Sequence, residues 1–146
     1  MLHDLARLYP PERLLAESAA RGLAIDDFAR RQPIVLHAPL GAELARERYG
    51  VGDPGVLEAI RLHTLAGPGM SRLAAVVYLA DGLEPGRTFA EREALERLAF
   101  RDLERATAAV IRSSLVHLQG KGLEPAPQTL AALRDYERFE RSPLSA

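Results

Sequence analysis

The 146-residue chain contains no cysteine and no tryptophan, and Lys121 is the only lysine among its 19 basic residues. The absence of cysteine excludes disulfides, zinc–thiolate sites, iron–sulfur clusters and cysteine nucleophiles. The longest unbroken apolar run, Leu73 to Ala80, has eight residues, whereas a membrane span needs about 20. The first residues also lack the basic and apolar segments of a signal peptide. We therefore expect a cytoplasmic protein that does not cross a membrane.

The composition is that of a globular protein with balanced charge. Hydrophobic residues make up 47% of the chain and charged residues 27%, and the formal net charge is −1. These values exclude wholesale disorder, and the length suits a single domain. Because no polybasic run is present, binding to nucleic acid or to an anionic membrane is not expected.

Proline and glycine divide the sequence into helical segments, and no segment has a convincing strand pattern. Asp26-Asp27, Asp53 and Ser71 stand where N-caps are expected, and Gly50 stands where a helix should end. The apolar run from Leu73 continues in helical period and is predicted to be a buried helix. We therefore predict an all-α fold, a helical bundle of roughly six to eight helices.

The second half of the chain predicts one long helix and a shorter last one. Thr88 and Glu91 have the spacing of a capping box, and the helix that they open is expected to reach Leu118. Its apolar stripe comprises Leu95, Leu98, Ala99, Leu103, Ala106 and Val110. After a linker with Pro125 and Pro127, the last helix carries Leu130, Leu133, Tyr136 and Phe139.

Since cysteine is absent, histidine and carboxylate side chains are the available metal ligands. His3-Asp4, His37, His63 and Asp81 each lie in an apolar helical context. An ionised carboxylate beside a buried helix face is costly unless it is paired or bound to a cation. Asp81 could equally pair with an arginine, and lone histidines are more often structural. His117, which has no acidic neighbour or motif, is predicted to lie at the surface or at an edge.

Segments spread over most of the chain carry a recognisable pattern. They are His3-Asp4-Leu5-Ala6-Arg7, Leu36 to Ala42, Ala59 to Thr64, Met70-Ser71 and Leu79 to Arg87, with a weaker match over Leu98 to Leu103. An isolated His-Asp pair is a weak motif, but the three segments from Ala59 onward are much more specific in that order. The sequence resembles the HD-domain metal-dependent phosphohydrolases and, within them, the YqeK family of symmetrical diadenosine tetraphosphate hydrolases.

This resemblance implies a single HD domain over 1–146, with the metal-site part in 1–87 and C-terminal helices in 88–146. It implies two divalent metal ions bridged by Asp4, which makes Asp4 the catalytic ligand. His3 and Asp81 complete the first metal site, and His37 and His63 bind the second metal. Iron is the metal that the family leads us to expect, although imidazole and carboxylate ligands also suit manganese or zinc.

The resemblance also implies a reaction. A small-molecule nucleotide such as diadenosine tetraphosphate is cleaved symmetrically into two nucleoside diphosphates by a hydroxide held between the metals. Arg87, Thr64 and Arg7 are the candidate phosphate-binding residues, although Arg87 could instead pair with Glu84. Ser71 is more simply explained as an N-cap. Two alternatives stay open: an HD enzyme for another nucleotide or phosphate ester, and a non-catalytic module that binds a nucleotide or a partner protein.

One feature of the family pattern has no counterpart in this sequence. The family has a further histidine, on a helix that precedes the dyad by a few tens of residues, whereas His3 is the first histidine here. We expect that the HD domain is incomplete at its N-terminal side, or alternatively that the protein is a shortened one. The first metal would then keep only His3, Asp4 and Asp81 as protein ligands. The sequence therefore predicts weak binding of that metal and little hydrolase activity for these 146 residues.

Overall fold

The computed structural model describes residues 2–141, with the side chains of 2–139, and this part of the chain forms eight α-helices without any strand. The helices are α1 (Pro11–Ala20), α2 (Asp27–Arg31), α3 (His37–Tyr49), α4 (Pro54–Leu62), α5 (Arg72–Gly82), α6 (Arg92–Ala99), α7 (Leu103–Gly120) and α8 (Pro127–Arg141). Two 3-10 turns, Leu2–Asp4 and Pro33–Leu36, precede α1 and α3. The predicted all-α fold is confirmed. None of the described helices has the length and apolar character needed to cross a bilayer.

Local capping signals in the sequence set several helix ends. The side chains of Asp26, Asp53 and Ser71 each accept a hydrogen bond from the backbone N–H three residues later, at distances of 2.7, 2.9 and 3.2 Å. These contacts satisfy amide groups that have no partner inside the helix. Gly50 ends α3 with a φ of 67°, a left-handed conformation that glycine adopts without a steric penalty. The N-cap predictions at Asp26, Asp53 and Ser71 are confirmed.

The single long helix predicted from Thr88 to Leu118 is wrong, because the chain forms α6 and α7 instead. Asp102 separates them: its backbone is extended, with φ −152° and ψ 95°, and its carboxylate accepts a hydrogen bond from the Arg105 amide at 3.0 Å. Aspartate competes for backbone amides in this way and so favours a cap over a helix interior. Thr88 does not cap α6, which begins at Arg92.

Hydrophobic packing brings α3, α4 and α5 side by side. The main cluster contains buried residues of α4, α5, α7 and α8, among them Tyr78, Leu79, Ile111 and Tyr136. A second cluster contains residues of α1, α2 and α3 and the segment just after the first turn. A small third cluster packs Ile60 of α4 against α3. The Leu2–Asp4 turn packs against both α3 and α4. This packing brings the ends of several helices to one region, where the candidate metal ligands lie.

Candidate metal centre

Four separate elements supply the five metal ligands that the sequence predicted. His3 and Asp4 lie in the first 3-10 turn, His37 is the first residue of α3, His63 directly follows α4, and Asp81 lies near the end of α5. All five side chains line one cavity of about 820 Å³. The structure therefore brings together residues from position 3 to position 81 of the chain.

Asp4 lies at the centre of the cluster, and its two carboxylate oxygens face different partners. Oδ1 is 3.6 Å from Nε2 of His37 and 3.6 Å from Nε2 of His63. Oδ2 is 3.3 Å from Nε2 of His3, and that nitrogen is 3.8 Å from Oδ1 of Asp81. The donor atoms thus form two groups that share a single carboxylate.

Backbone hydrogen bonds fix the tautomers of two of the histidines. Nδ1 of His37 is 2.6 Å from the carbonyl oxygen of Ile34, and Nδ1 of His63 is 2.7 Å from that of Ile60. Because a carbonyl only accepts, each Nδ1 carries the hydrogen and donates it, which leaves a lone pair on each Nε2. This second contact on the ring is typical of metal-binding histidines.

The two free Nε2 atoms are 3.2 Å apart, so their lone pairs repel each other unless a positive group lies nearby. The Thr64 hydroxyl lies 3.2 Å from Nε2 of His37 and 3.1 Å from Nε2 of His63, but its single hydrogen can serve only one of them. Together with the Asp4 carboxylate, this electron-rich arrangement is one that a cation stabilises. The residues present therefore fit a metal ion.

Burial keeps the His37 imidazole in its metal-binding form. Both His37 and His63 are 3% exposed. Burial lowers the pKa of His37, and the nearby His63 and Arg7 lower it further, against an opposing effect of the hydrogen bond to Ile34. A neutral imidazole is the form that binds metals. With its mixed imidazole and carboxylate donors, the site suits a divalent transition metal better than calcium.

The residues proposed for phosphate contact surround the same cavity, which is lined by Arg7, Thr64 and Arg87. Arg87 donates to the backbone oxygen of Asp81 at 2.9 Å and to its carboxylate at 3.1 Å, whereas the Glu84 carboxylate is 4.0 Å away. Arg87 is therefore the arginine that pairs with Asp81. The Arg87 side chain stays about half exposed.

Sequence reasoning missed the contribution of Gly41, a residue in the interior of α3. A Cβ atom at this position would lie 3.3 Å from the carbonyl oxygen of His3. The missing side chain therefore allows the Leu2–Asp4 turn to lie directly against the helix. A glycine in the middle of a predicted helix was the available signal, since such a residue often marks a close backbone approach.

Sequence reasoning also missed a second cavity that adjoins the first. His117 is exposed, as its sequence neighbours predict, but it lines this cavity together with Ser113. The signal was the spacing of these two polar residues, which are one helical turn apart along the edge of the apolar stripe of α7. Two polar residues one helical turn apart are common on helix surfaces. Their spacing therefore did not predict a site before the packing of α7 was known.

Comparisons with known proteins identify relatives of this chain. A profile of the HD domain matches residues 1–86. "Bis(5'-nucleosyl)-tetraphosphatase, symmetrical" of Bacillus subtilis is 36% identical over 129 residues, or 88% of this chain and 69% of that protein. The protein of the same name from Halalkalibacterium halodurans is 34% identical over 147 residues, covering 88% of this chain and 79% of that protein.

A solved structure has the same fold. The "predicted HD superfamily hydrolase involved in NAD metabolism" from Clostridium acetobutylicum matches with a TM-score of 0.90 and 30% identity, over 94% of this chain and 73% of that chain. The profile match covers more than half of the chain. The similarity to the two tetraphosphatases covers most of this chain and more than two thirds of each relative. The chain therefore belongs to the HD-domain hydrolases and, among them, to the family of the symmetrical bis(5'-nucleosyl)-tetraphosphatases.

Proposed function

We propose that this protein hydrolyses dinucleoside polyphosphates such as diadenosine tetraphosphate, and that it cleaves them symmetrically into two nucleoside diphosphates such as ADP. The observation that carries the proposal is the position of Asp4, whose two oxygens face two different groups of donor atoms. Such a shared carboxylate is what a pair of neighbouring metal ions requires. The names of the relatives from Bacillus subtilis and Halalkalibacterium halodurans support the choice of substrate.

In this proposal, each group of donors holds one divalent ion. Asp4 would contribute to both sites, His3 and Asp81 would complete one of them, and His37 and His63 would complete the other. Iron is the proposed metal, with manganese or zinc as substitutes that the same ligands accept. When bound, such ions neutralise phosphate charge and make nearby water more acidic.

The protein's own residues orient the donors and hold the substrate. Ile34 and Ile60 accept the Nδ1 hydrogens and so keep the rings of His37 and His63 turned toward Asp4. Arg87 and Arg7 supply positive charge at the cavity wall, where a polyphosphate carries several negative charges. A guanidinium can contact two phosphate oxygens at once, which suits Arg87 for positioning the chain of phosphates.

The reaction breaks the central P–O–P linkage of the tetraphosphate. The oxygen of a water molecule bonds to one of the two central phosphorus atoms, and the linking oxygen leaves on the other phosphate. Of the two hydrogens of the water, one stays on the attacking oxygen and the other goes to the leaving oxygen, and part of these protons passes to the solvent near neutral pH. No nucleophile from the protein is consumed. The Thr64 hydroxyl is close to Nε2 of both His37 and His63, and a metal ion held by those nitrogens would free its hydrogen for a phosphate oxygen.

Product analysis tests the proposal. The 146-residue protein is incubated with diadenosine tetraphosphate and excess Mn²⁺ or Fe²⁺, and the nucleotides are separated by chromatography. We expect ADP as the only product. His63→Ala, which removes a ligand of the other ion, should form none. Equal amounts of AMP and ATP, or cleavage only of some other nucleotide or phosphate ester, would contradict the symmetrical reaction.

A further inference from the structure

A second cavity opens beside the metal centre, on the side toward α7. Its volume is about 470 Å³, within the range typical of small-molecule sites. It shares four lining residues with the metal-centre cavity, namely His63, Thr64, Asp81 and Arg87. The two cavities are therefore neighbours with a common wall, and a ligand can extend from one into the other around the Arg87 side chain.

The remaining walls combine apolar surface with a few polar atoms. The residues that line them include Phe89, Val110, Ser113, Ser114, His117 and Leu118, together with Tyr78, Gly82 and Thr88. Val110 is 3% exposed, and Phe89 packs against the main hydrophobic cluster, so these two side chains form a fixed apolar surface. An apolar surface with a small number of hydrogen-bonding groups suits a flat heterocycle attached to a polar sugar.

Some polar side chains of this cavity are free to contact a ligand. Within residues 2–141, neither the Ser113 hydroxyl nor the His117 ring makes a hydrogen bond or an ion pair. The Ser114 hydroxyl instead hydrogen-bonds with the buried Tyr78, whose pKa is raised to about 12 by burial. Tyr78 therefore stays a neutral phenol at the floor of the cavity. Ser113 and His117 are left to recognise a ligand.

The charge of the shared wall suits a phosphate at the junction. Asp81 is the carboxylate among the residues that line the second cavity, and Arg87 pairs with it at 3.1 Å. The guanidinium is about half exposed, so it can face an anion on its other side. A dinucleoside tetraphosphate whose central linkage lies at the metal centre carries a nucleoside two phosphates away on each side. One of these arms can pass Arg87 and enter the second cavity.

We propose that the second cavity binds one nucleoside of the dinucleoside polyphosphate, with Phe89 and Val110 against the base and with Ser113 and His117 as hydrogen-bonding partners. The identity of the substrate in this statement depends on the proposed function. The cavity itself binds the nucleoside part of a nucleotide whether or not the chain hydrolyses it. Phe89, Val110, Ser113 and His117 are proposed as binding residues only, and none of the four is a proposed metal ligand.

The experiment compares two tryptophan variants on the same helix. Ser113→Trp fills the cavity, whereas Gln119→Trp adds the same side chain to an exposed position of α7 that lines neither cavity. Binding of AMP and of inorganic pyrophosphate to the manganese-loaded protein is measured by calorimetry. We expect Ser113→Trp to weaken AMP binding about tenfold or more, a loss of about 1.4 kcal/mol. Gln119→Trp should bind AMP like the wild type, and pyrophosphate should bind all three proteins alike.

A second variant keeps the test decisive if Ser113→Trp fails to fold. His117→Ala removes an exposed side chain and should weaken AMP binding while leaving pyrophosphate binding unchanged. Equal AMP affinity in folded Ser113→Trp and wild type would overturn the assignment, as would a wild type that binds pyrophosphate but not AMP. Equal weakening of AMP and pyrophosphate would also overturn it, because the effect would then lie at the metal centre.

Activity measurements separate this inference from the proposed function. If the wild type hydrolyses diadenosine tetraphosphate, Ser113→Trp should raise KM with little change in kcat. An unchanged KM overturns the nucleoside site while the hydrolase function stands. If instead the wild type binds AMP in a manner that Ser113→Trp abolishes but cleaves no dinucleoside polyphosphate, the proposed function fails and the nucleoside site stands.

Discussion

Arg87 shows how a single residue can connect two parts of a site. Its guanidinium donates to both the backbone and the side chain of Asp81 and also lines both cavities. The alternative of an ion pair with Glu84 is a minor contact, at 4.0 Å. Sequence spacing could not separate these cases, because Asp81 and Glu84 are both within reach of position 87. The orientation of the loop after α5 decides between them.

Replacing Arg87 with lysine keeps the charge and tests the geometry. A single ammonium cannot hold Asp81 and a phosphate with the fixed fork of a guanidinium. We expect Arg87→Lys to raise KM for diadenosine tetraphosphate about tenfold, which corresponds to about 1.4 kcal/mol. The free energy of unfolding should fall by less than about 1 kcal/mol, because the pair is partly exposed to solvent.

Steady-state kinetics and urea denaturation measure the two effects of Arg87→Lys. Arg101→Lys is the matched control, since Arg101 is exposed and lines neither cavity. An unchanged KM in Arg87→Lys would show that the guanidinium only braces Asp81.

At the scale of helices, the boundary between α6 and α7 shows what periodicity can and cannot reveal. The apolar stripe continues across the boundary, because Leu95 and Leu98 on α6 and Val110 on α7 all pack into the main cluster. Periodicity therefore predicted one helix. The helix ends that were predicted correctly depend on local contacts, such as those of Asp53 and Ser71 with backbone amides three residues away. Asp102 carries the same local signal, but the prediction of one continuous helix did not use it.

Substitution of Asp102 tests its capping role. Asp102→Ala removes the acceptor for the Arg105 amide and should lower the free energy of unfolding by about 1 kcal/mol. Asp102→Asn keeps an acceptor oxygen and should lose much less. Urea denaturation, followed by circular dichroism at 222 nm as the usual helix signal, measures both variants. If the two variants are equally stable, the cap contributes nothing and the boundary has another cause.

At the scale of the whole molecule, the metal centre depends on contacts between distant parts of the chain. No local rule relates position 4 to position 81, so composition and periodicity alone left the five candidate ligands as isolated residues. Their meeting was expected only from the resemblance to HD-domain hydrolases, and the structure brings them to one cavity. The second cavity was not expected, because it forms only where α7 packs beside α5.

Metal binding should therefore stabilise the whole fold. An ion held by the cluster links the first turn to α3, α4 and α5, and a ligand that binds only the folded state stabilises it. At a Mn²⁺ concentration about 100 times the Kd, the expected gain is about 2.7 kcal/mol. Thermal unfolding with Mn²⁺ and with a chelator measures this gain. His63→Ala should show a much smaller difference, and an equal midpoint for the wild type under both conditions would contradict a metal-holding cluster.

The absence of a side chain at Gly41 affects which substitutions the metal centre tolerates in related proteins. The smallest side chain that could replace its hydrogen would press on the His3 carbonyl oxygen and require a shift of a few tenths of an ångström. A mutation there deletes no donor atom, yet it moves the amino-terminal half of the centre relative to the other half. Homologues that retain every histidine and aspartate but have acquired a larger residue at this spot are therefore candidates for silent loss of activity. A survey that inspects donor residues alone would count them as intact.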